Sequence, residues 1–226
     1  VSGAPLVIVA DMRGAGTVTE DRLRTVTATL RARDVELRIV RTDDPAGVGE
    51  AIAAEMGGVR GRGGGLLAVM GDDPAIRAAV SAVMAARPDG GSPELGILAA
   101  STSCDFVRTF GIPPDKPAFA AERLLTAPPF PIDVAEVTYV DGSGVGATTH
   151  FAGLAEVGFG GAALRREARA RIARTAAFSA FWLTRLTFRR PEMRVVGERR
   201  EFVGRAHDVI VGNTQYGRHG IRLSPR

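Results

Sequence analysis

Only one cysteine, Cys104, occurs in the 226-residue chain, which excludes an internal disulfide framework and fits a reducing compartment. Long apolar runs are absent too. No stretch approaches the roughly 20 residues that cross a bilayer, and the opening VSGAPLVIVA has no basic region ahead of a cleavable apolar segment, so a cytoplasmic protein is expected. The three histidines, His150, His207 and His219, lack metal-ligand spacing; the first two read as structural, and His219, in a late glycine turn, is a candidate for ligand contact. Aromatic residues make up 6% and do not interleave with arginines as a base-stacking platform requires, which argues against nucleic acid. The tract GGVRGRGGG is not followed by GK[ST] and reads as a flexible loop rather than a phosphate loop.

Lysine is equally scarce. Lys116 stands alone, and every other basic residue is arginine. Codon bias accounts for this simply; the alternative is that guanidinium groups serve bidentate phosphate contacts. A net charge of +4 and a pI near 10.1 allow attraction to nucleotides or anionic lipid without choosing between them. The remaining composition, 45% hydrophobic and 24% charged, is that of a globular chain with a proper core.

Hydrophobic patterning divides the chain. PLVIVA, VELRIV, LLAVM and ELGILAA read as buried strands, alternating with the helical stretches EDRLRTVTATLRARD, VGEAIAAEMGG and DPAIRAAVSAVMAAR, which implies a mostly parallel sheet covered on both faces. Prolines 128, 129 and 131 cluster where one domain hands over to another. Beyond them DVAEVTYV and ATTHFAGLAEVG read as strands joined at DGSG, one helical stretch runs from Gly161 to about Arg190, and EMRVVGE and EFVGRAHDVIVGN are strands again. The expected architecture is an α/β domain over residues 1–128 and a β-rich domain over 129–226. The ending at a proline turn, RLSPR, leads to the expectation that this second domain is incomplete.

In open parallel sheets, ligands gather at the carboxyl ends of strands. DMRGAG, GDDP and STSCD follow three such ends and could line one anion site. Gly71 lets a backbone approach closely, Ser101, Thr102 and Ser103 offer hydroxyls, and Asp72, Asp73 and Asp105 offer carboxylates for a metal, directly or through water. Each has a plainer reading. Asp72 or Asp73 before Pro74 suits a helix cap, Asp105 could cap its own turn or pair with Arg108, and Cys104 reads as a small structural side chain. The later helical stretch carries Arg165, Arg166, Arg169, Arg171 and Arg174, then Phe178, Phe181, Trp182 and Phe188; it packs against the β-rich part with a solvated arginine face, or serves as an interfacial surface.

LGILAASTSCDFVRTFGIP resembles, without a gap, the segment of diacylglycerol kinase-like lipid kinases usually written LGILPLGTGNDFARTLGIP. LLAVMGDDPAI falls where that family has VVAVGGDGTLN, IDVAEV where it has its DVG element, and VIVGNTQYGRHGIRLSP where it has its late asparagine and glycine turn. The resemblance implies a Rossmann-like three-layer α/β domain followed by a β-sandwich-like domain with one inserted helix. It also implies ATP-dependent phosphorylation of a lipid hydroxyl, with nucleotide in the cleft between the domains. Nicotinamide-nucleotide kinases share the GGDGT-type turn, and DFVRTFGIP favours the lipid branch.

On that resemblance Gly71, Asp72, Ser101, Thr102 and Ser103 contact nucleotide, Asp72 and Asp105 organise Mg2+, and Asp133 lies on the acceptor side. Asn213 opens the late segment. ATP and Mg2+ are the expected cofactors, diacylglycerol the expected acceptor, and peripheral contact with an anionic membrane surface the expected location; a homodimer is compatible with it. Departures from the family pattern are concentrated at Met70, Asp73 and Pro74, and at Ser101, Ser103 and Cys104, where family glycines, a threonine and an asparagine are replaced. The family's proposed general base lies beyond Arg226. A catalytically inactive relative that binds nucleotide or lipid as a regulatory module is therefore the alternative expectation.

Overall fold

Every residue of LVIVAD is buried because this segment, β1 (Leu6–Asp11), is covered on both faces. Side chains of a strand alternate, so two cores follow from one segment. Leu6, Ile8 and Ala10 meet Leu23, Val26 and Leu30 of α1 (Thr17–Arg31), together with Ala120 and Ala121 of α5 (Pro117–Thr126). Val7 and Val9 face the other way, onto Val48, Ile52 and Met56 of α2 (Pro45–Gly61) and Ile76, Val80 and Val83 of α3 (Asp73–Ala85). β3 (Leu67–Gly71) and β4 (Gly96–Ala99) repeat the alternation: Leu67, Val69 and Ile97 point to the second core, and Ala68, Met70 and Leu98 to the first. Each fully buried aliphatic chain here contributes about 1.5–3 kcal/mol.

With β2 (Leu37–Thr42) these strands form one parallel sheet in the order β2-β1-β3-β4. This computed structural model describes residues 5–13, 17–61, 66–86, 94–140, 143–170, 176–217 and 220–223. A three-layer α/β region followed by a β-rich region is thus present. Strand β2 lies at the sheet edge, and there its arginines turn outward into ion pairs, Arg38 with Glu55 at 2.9 Å and Arg41 with Glu20 at 2.8 Å.

By its contacts the chain forms two units, Val1–Gly153 with Asn213–Arg226, and Leu154–Gly212. The first unit also holds α4 (Asp105–Thr109), the hairpin β5 (Ala135–Val140) with β6 (Gly146–Phe151), and the small pair β11 (Tyr216–Gly217) with β12 (Ile221–Arg222). Ser81 of α3 bonds the His150 carbonyl and Thr149 of β6 at 3.1 Å each, which seats the hairpin on that helix. In the second unit β7 (Leu154–Gly158) pairs antiparallel with β10 (Asp208–Gly212), β8 (Glu192–Val196) pairs with β9 (Glu201–Arg205), and α6 (Phe159–Ala170) and α7 (Ala176–Thr187) intervene.

Some boundaries differ from the sequence reading. ATTHFAGLAEVG is two strands, because β6 pairs with β5 while β7 pairs with β10; EFVGRAHDVIVGN divides into β9 and β10 for the same reason. The helical stretch 161–190 is two helices, with residues 171–175 outside the described part. Helix α2 continues through Gly57, Gly58 and Gly61 into the expected glycine loop. Docking of Val48, Ile52 and Met56 outweighs a glycine cost of about 1 kcal/mol per residue. Cys104 is fully buried, and His150 and His207 face Glu136 and Asp208 at 3.5 and 2.7 Å.

Candidate functional site

Parallel pairing of β3 and β4 sets Gly71 against Ala99, so the residues that follow both strands emerge side by side. Asp72 is the first. It occupies the residue before α3 with extended backbone, yet its side chain makes no bond to that helix. Instead the carboxylate crosses to the next strand end, accepting from the Ser101 amide at 3.1 Å and the Ser101 hydroxyl at 2.9 Å. Ser103 lies 2.6 Å from the same hydroxyl. One hydroxyl has one proton to give, so the directional chain runs from Ser103 through Ser101 to Asp72. This chain joins two strand tips into one polar surface, with Thr102 exposed at its apex and Asp72 half-buried.

Gly71 is demanded by packing. A β-carbon there would stand 2.4 Å from that of Ala75 in α3 and 3.7 Å from that of Asp11 at the end of β1. Asp11 is itself buried and closes its own turn, accepting from the Arg13 amide at 2.9 Å; residues 14–16 of the DMRGAG stretch lie outside the described residues.

Asp73 turns the opposite way from Asp72. Its carboxylate accepts from the amides of Asp105 at 3.1 Å and Phe106 at 3.0 Å, and the Cys104 thiol points at it from 3.7 Å. The second acid of GDDP thus caps the turn that begins α4. Burial raises the Asp73 carboxyl above the ordinary carboxylate value, and the two amides oppose the shift. Burial, with the Asp73 charge second, pushes the Cys104 thiol far up, so it stays protonated and inert. Cys104, Phe106 and Val107 are also members of the hydrophobic core, which fixes the turn from below.

Asp105 sits at 4% exposure beneath this surface, with Arg108 Nε 3.5 Å from its carboxylate. Arg108 also donates to the Thr102 carbonyl, so one guanidinium ties the exposed apex to the buried acid. The late segment returns to the same place. The Gln215 amide donates to Thr109 at 3.3 Å, and Gly220, whose φ of +92° favours glycine, lies beside the Arg108 guanidinium. Asn213 donates its side-chain amide to the Asp133 carbonyl, leaving the Asp133 carboxylate exposed. His219 lies outside the described residues.

The structure thus brings together Gly71, Asp72, Ser101, Thr102 and Ser103, with Asp105 tucked below them and Asp133 beside Asn213. Among the described residues no three His, Cys, Asp or Glu side chains form a metal cluster. Mg2+ needs only one or two protein carboxylates when substrate phosphates supply other oxygens. Asp72 fits that requirement. Asp105 is buried and paired with Arg108, whose Nε is itself buried. Sequence reasoning missed Asp73 as a clamp on the neighbouring turn, whereas the pairing of Asp105 with Arg108 was one of its readings.

The family model for the diacylglycerol kinase catalytic domain matches residues 5–137. A solved structure of a proposed diacylglycerol kinase from Bacillus anthracis str. Sterne shares 18% identity and a TM-score of 0.64, covering 98% of this chain and 70% of that one. A structure of a diacylglycerol kinase from the same organism shares 17% identity and a TM-score of 0.62, with 98% and 70% covered. At such identities the likeness is one of fold. No curated protein matches the chain.

Proposed function

The chain belongs to the diacylglycerol kinase catalytic-domain family, and on that premise we propose that it transfers the γ-phosphoryl group of ATP to a lipid hydroxyl. Diacylglycerol is the acceptor class. The observation that carries the reading is the Asp72–Ser101–Ser103 chain, which holds two strand tips together under an exposed Thr102. Phosphoryl transfer needs positioning and charge neutralisation rather than covalent help from the protein. Ser101, Thr102 and Ser103 orient the phosphates, Gly71 keeps the β3 tip close, and Asp72 supplies the carboxylate toward Mg2+. The metal, when bound, neutralises phosphate charge. Asp105 holds Arg108 and through it the apex of the turn. The acceptor hydroxyl approaches on the Asp133 side, its oxygen bonding phosphorus as the bond to ADP breaks and its proton is released to water.

We further propose that residues 129–226 supply the lipid-facing part and that the protein meets membranes peripherally. No described helix is long and apolar enough to cross a membrane. Trp182, Leu183 and Leu186 on α7 are at least half exposed, at 50, 52 and 82%, and Arg185 and Arg189 accompany them. Apolar and cationic side chains on one helix suit an anionic lipid surface.

One observation favours the non-catalytic alternative. Pro74 has no amide hydrogen, so this turn offers one donor fewer to phosphate than an amide-bearing residue there would. Calorimetric titration of ATP with Mg2+, run beside transfer of labelled phosphate to diacylglycerol, separates the two. Binding with transfer supports the kinase, and binding without transfer supports the regulatory module.

A further inference from the structure

Arginines of the second unit line a cleft of about 310 Å3 between α6 and the end of α7, bounded by Ala162, Arg165, Arg166, Thr184, Phe188 and Arg189. Three guanidinium groups meeting in one hollow repel each other unless an anion joins them. The described residues give none of the three an ion pair. Arg166 is held in place by hydroxyls: its Nη1 donates to Thr187 Oγ1 at 2.9 Å and lies 3.4 Å from that of buried Thr184. The Thr187 proton is already given to the Leu183 carbonyl at 2.7 Å, so Thr187 can only accept from Arg166, and the guanidinium orientation is fixed. Phe188 is fixed as well, its ring 5.6 Å from Phe159 and 5.3 Å from His207.

A preset guanidinium beside two exposed ones is suited to bidentate binding of phosphate oxygens. We propose that this cleft receives the phosphate group of an anionic lipid headgroup. Inorganic phosphate shares the chemistry, but the same two helices expose Leu164 at 65%, Leu183 at 52% and Leu186 at 82%, which free phosphate leaves in water and a lipid surface covers. The inference rests on the membrane-facing reading of α7 and does not need phosphoryl transfer.

The test measures binding of the full chain, without ATP, to phosphatidylcholine vesicles with and without phosphatidate, and to inorganic phosphate by calorimetry. Arg165→Gln with Arg189→Gln removes two cleft charges, Arg199→Gln with Arg205→Gln removes two elsewhere in the same unit, and Thr187→Val unfastens Arg166 with no change of charge. The expected result is a loss of affinity for phosphatidate vesicles of about tenfold or more in the cleft double variant, and a smaller loss in Thr187→Val. The Arg199/Arg205 variant keeps wild-type binding. Equal losses in the two double variants, or none in either, would overturn the site. Cleft-dependent binding of inorganic phosphate without preference for phosphatidate vesicles would overturn the lipid assignment. Loss of binding to plain phosphatidylcholine in Trp182→Ala reports on the membrane-facing reading separately.

Discussion

The carboxylate of Asp73, in the first turn of α3, accepts a hydrogen bond from the main-chain amide of Phe106 at 3.0 Å, although the two residues are separated by 32 intervening positions. Through this contact and its neighbour at Asp105, the helix after β3 holds the turn after β4. Replacing Asp73 with Ala leaves two amides without acceptors, and a loss of about 1–3 kcal/mol per abandoned buried group is expected, read by urea denaturation.

The same group sets a pH dependence. Its folded-state pKa is raised above the ordinary carboxylate value, chiefly by partial burial, so its stabilising contribution is greatest when protonated in both states and falls as pH rises through the folded value. Asp73→Asn keeps an acceptor and cannot titrate. Wild-type stability relative to Asp73→Asn is expected to decline as pH climbs above 3.8 and to level off once the folded carboxyl is ionised. A relative stability that rises over this window contradicts a raised Asp73 carboxyl.

Gly71→Ala forces a β-carbon to within 2.4 Å of the Ala75 β-carbon, so either β3 or α3 must shift. Overpacking of this kind costs about 1–3 kcal/mol. Thermal unfolding reads the loss, and ATP titration is expected to weaken with it, since the displaced strand tip carries Asp72.

Arg108→Ala removes a partner of a buried acid. Breaking a buried pair costs about 3–5 kcal/mol, and the 32% exposure of Arg108 places the expected loss toward the lower end. Adding Asp105→Asn to this variant is expected to recover part of the stability, because a buried charge with one cation fewer beside it is then gone. No recovery means that Asp105 and Arg108 act independently.

The sheet was legible in the sequence because every inner strand is covered on both sides and therefore reads as an apolar run. The turn at 101–105 was legible through the resemblance of its flanks, GILAA before and DFVRTFGIP after, which places it opposite Asp72. What the sequence hides is pairing at a distance. Nothing local to GDDP says that Asp72 reaches Ser101 while Asp73 reaches Phe106; that choice follows from the register of β3 against β4 and from the core position of Cys104 and Phe106. The division of ATTHFAGLAEVG was hidden likewise, since each half alternates well but finds a different partner.

The central claim is that the joined tips of β3 and β4 form a phosphate-transferring site, and labelled-phosphate transfer from ATP to diacylglycerol by wild type and Asp72→Asn tests it most directly. The account predicts transfer by the wild type and a loss of about a hundredfold or more in the variant. Equal transfer by both would contradict it.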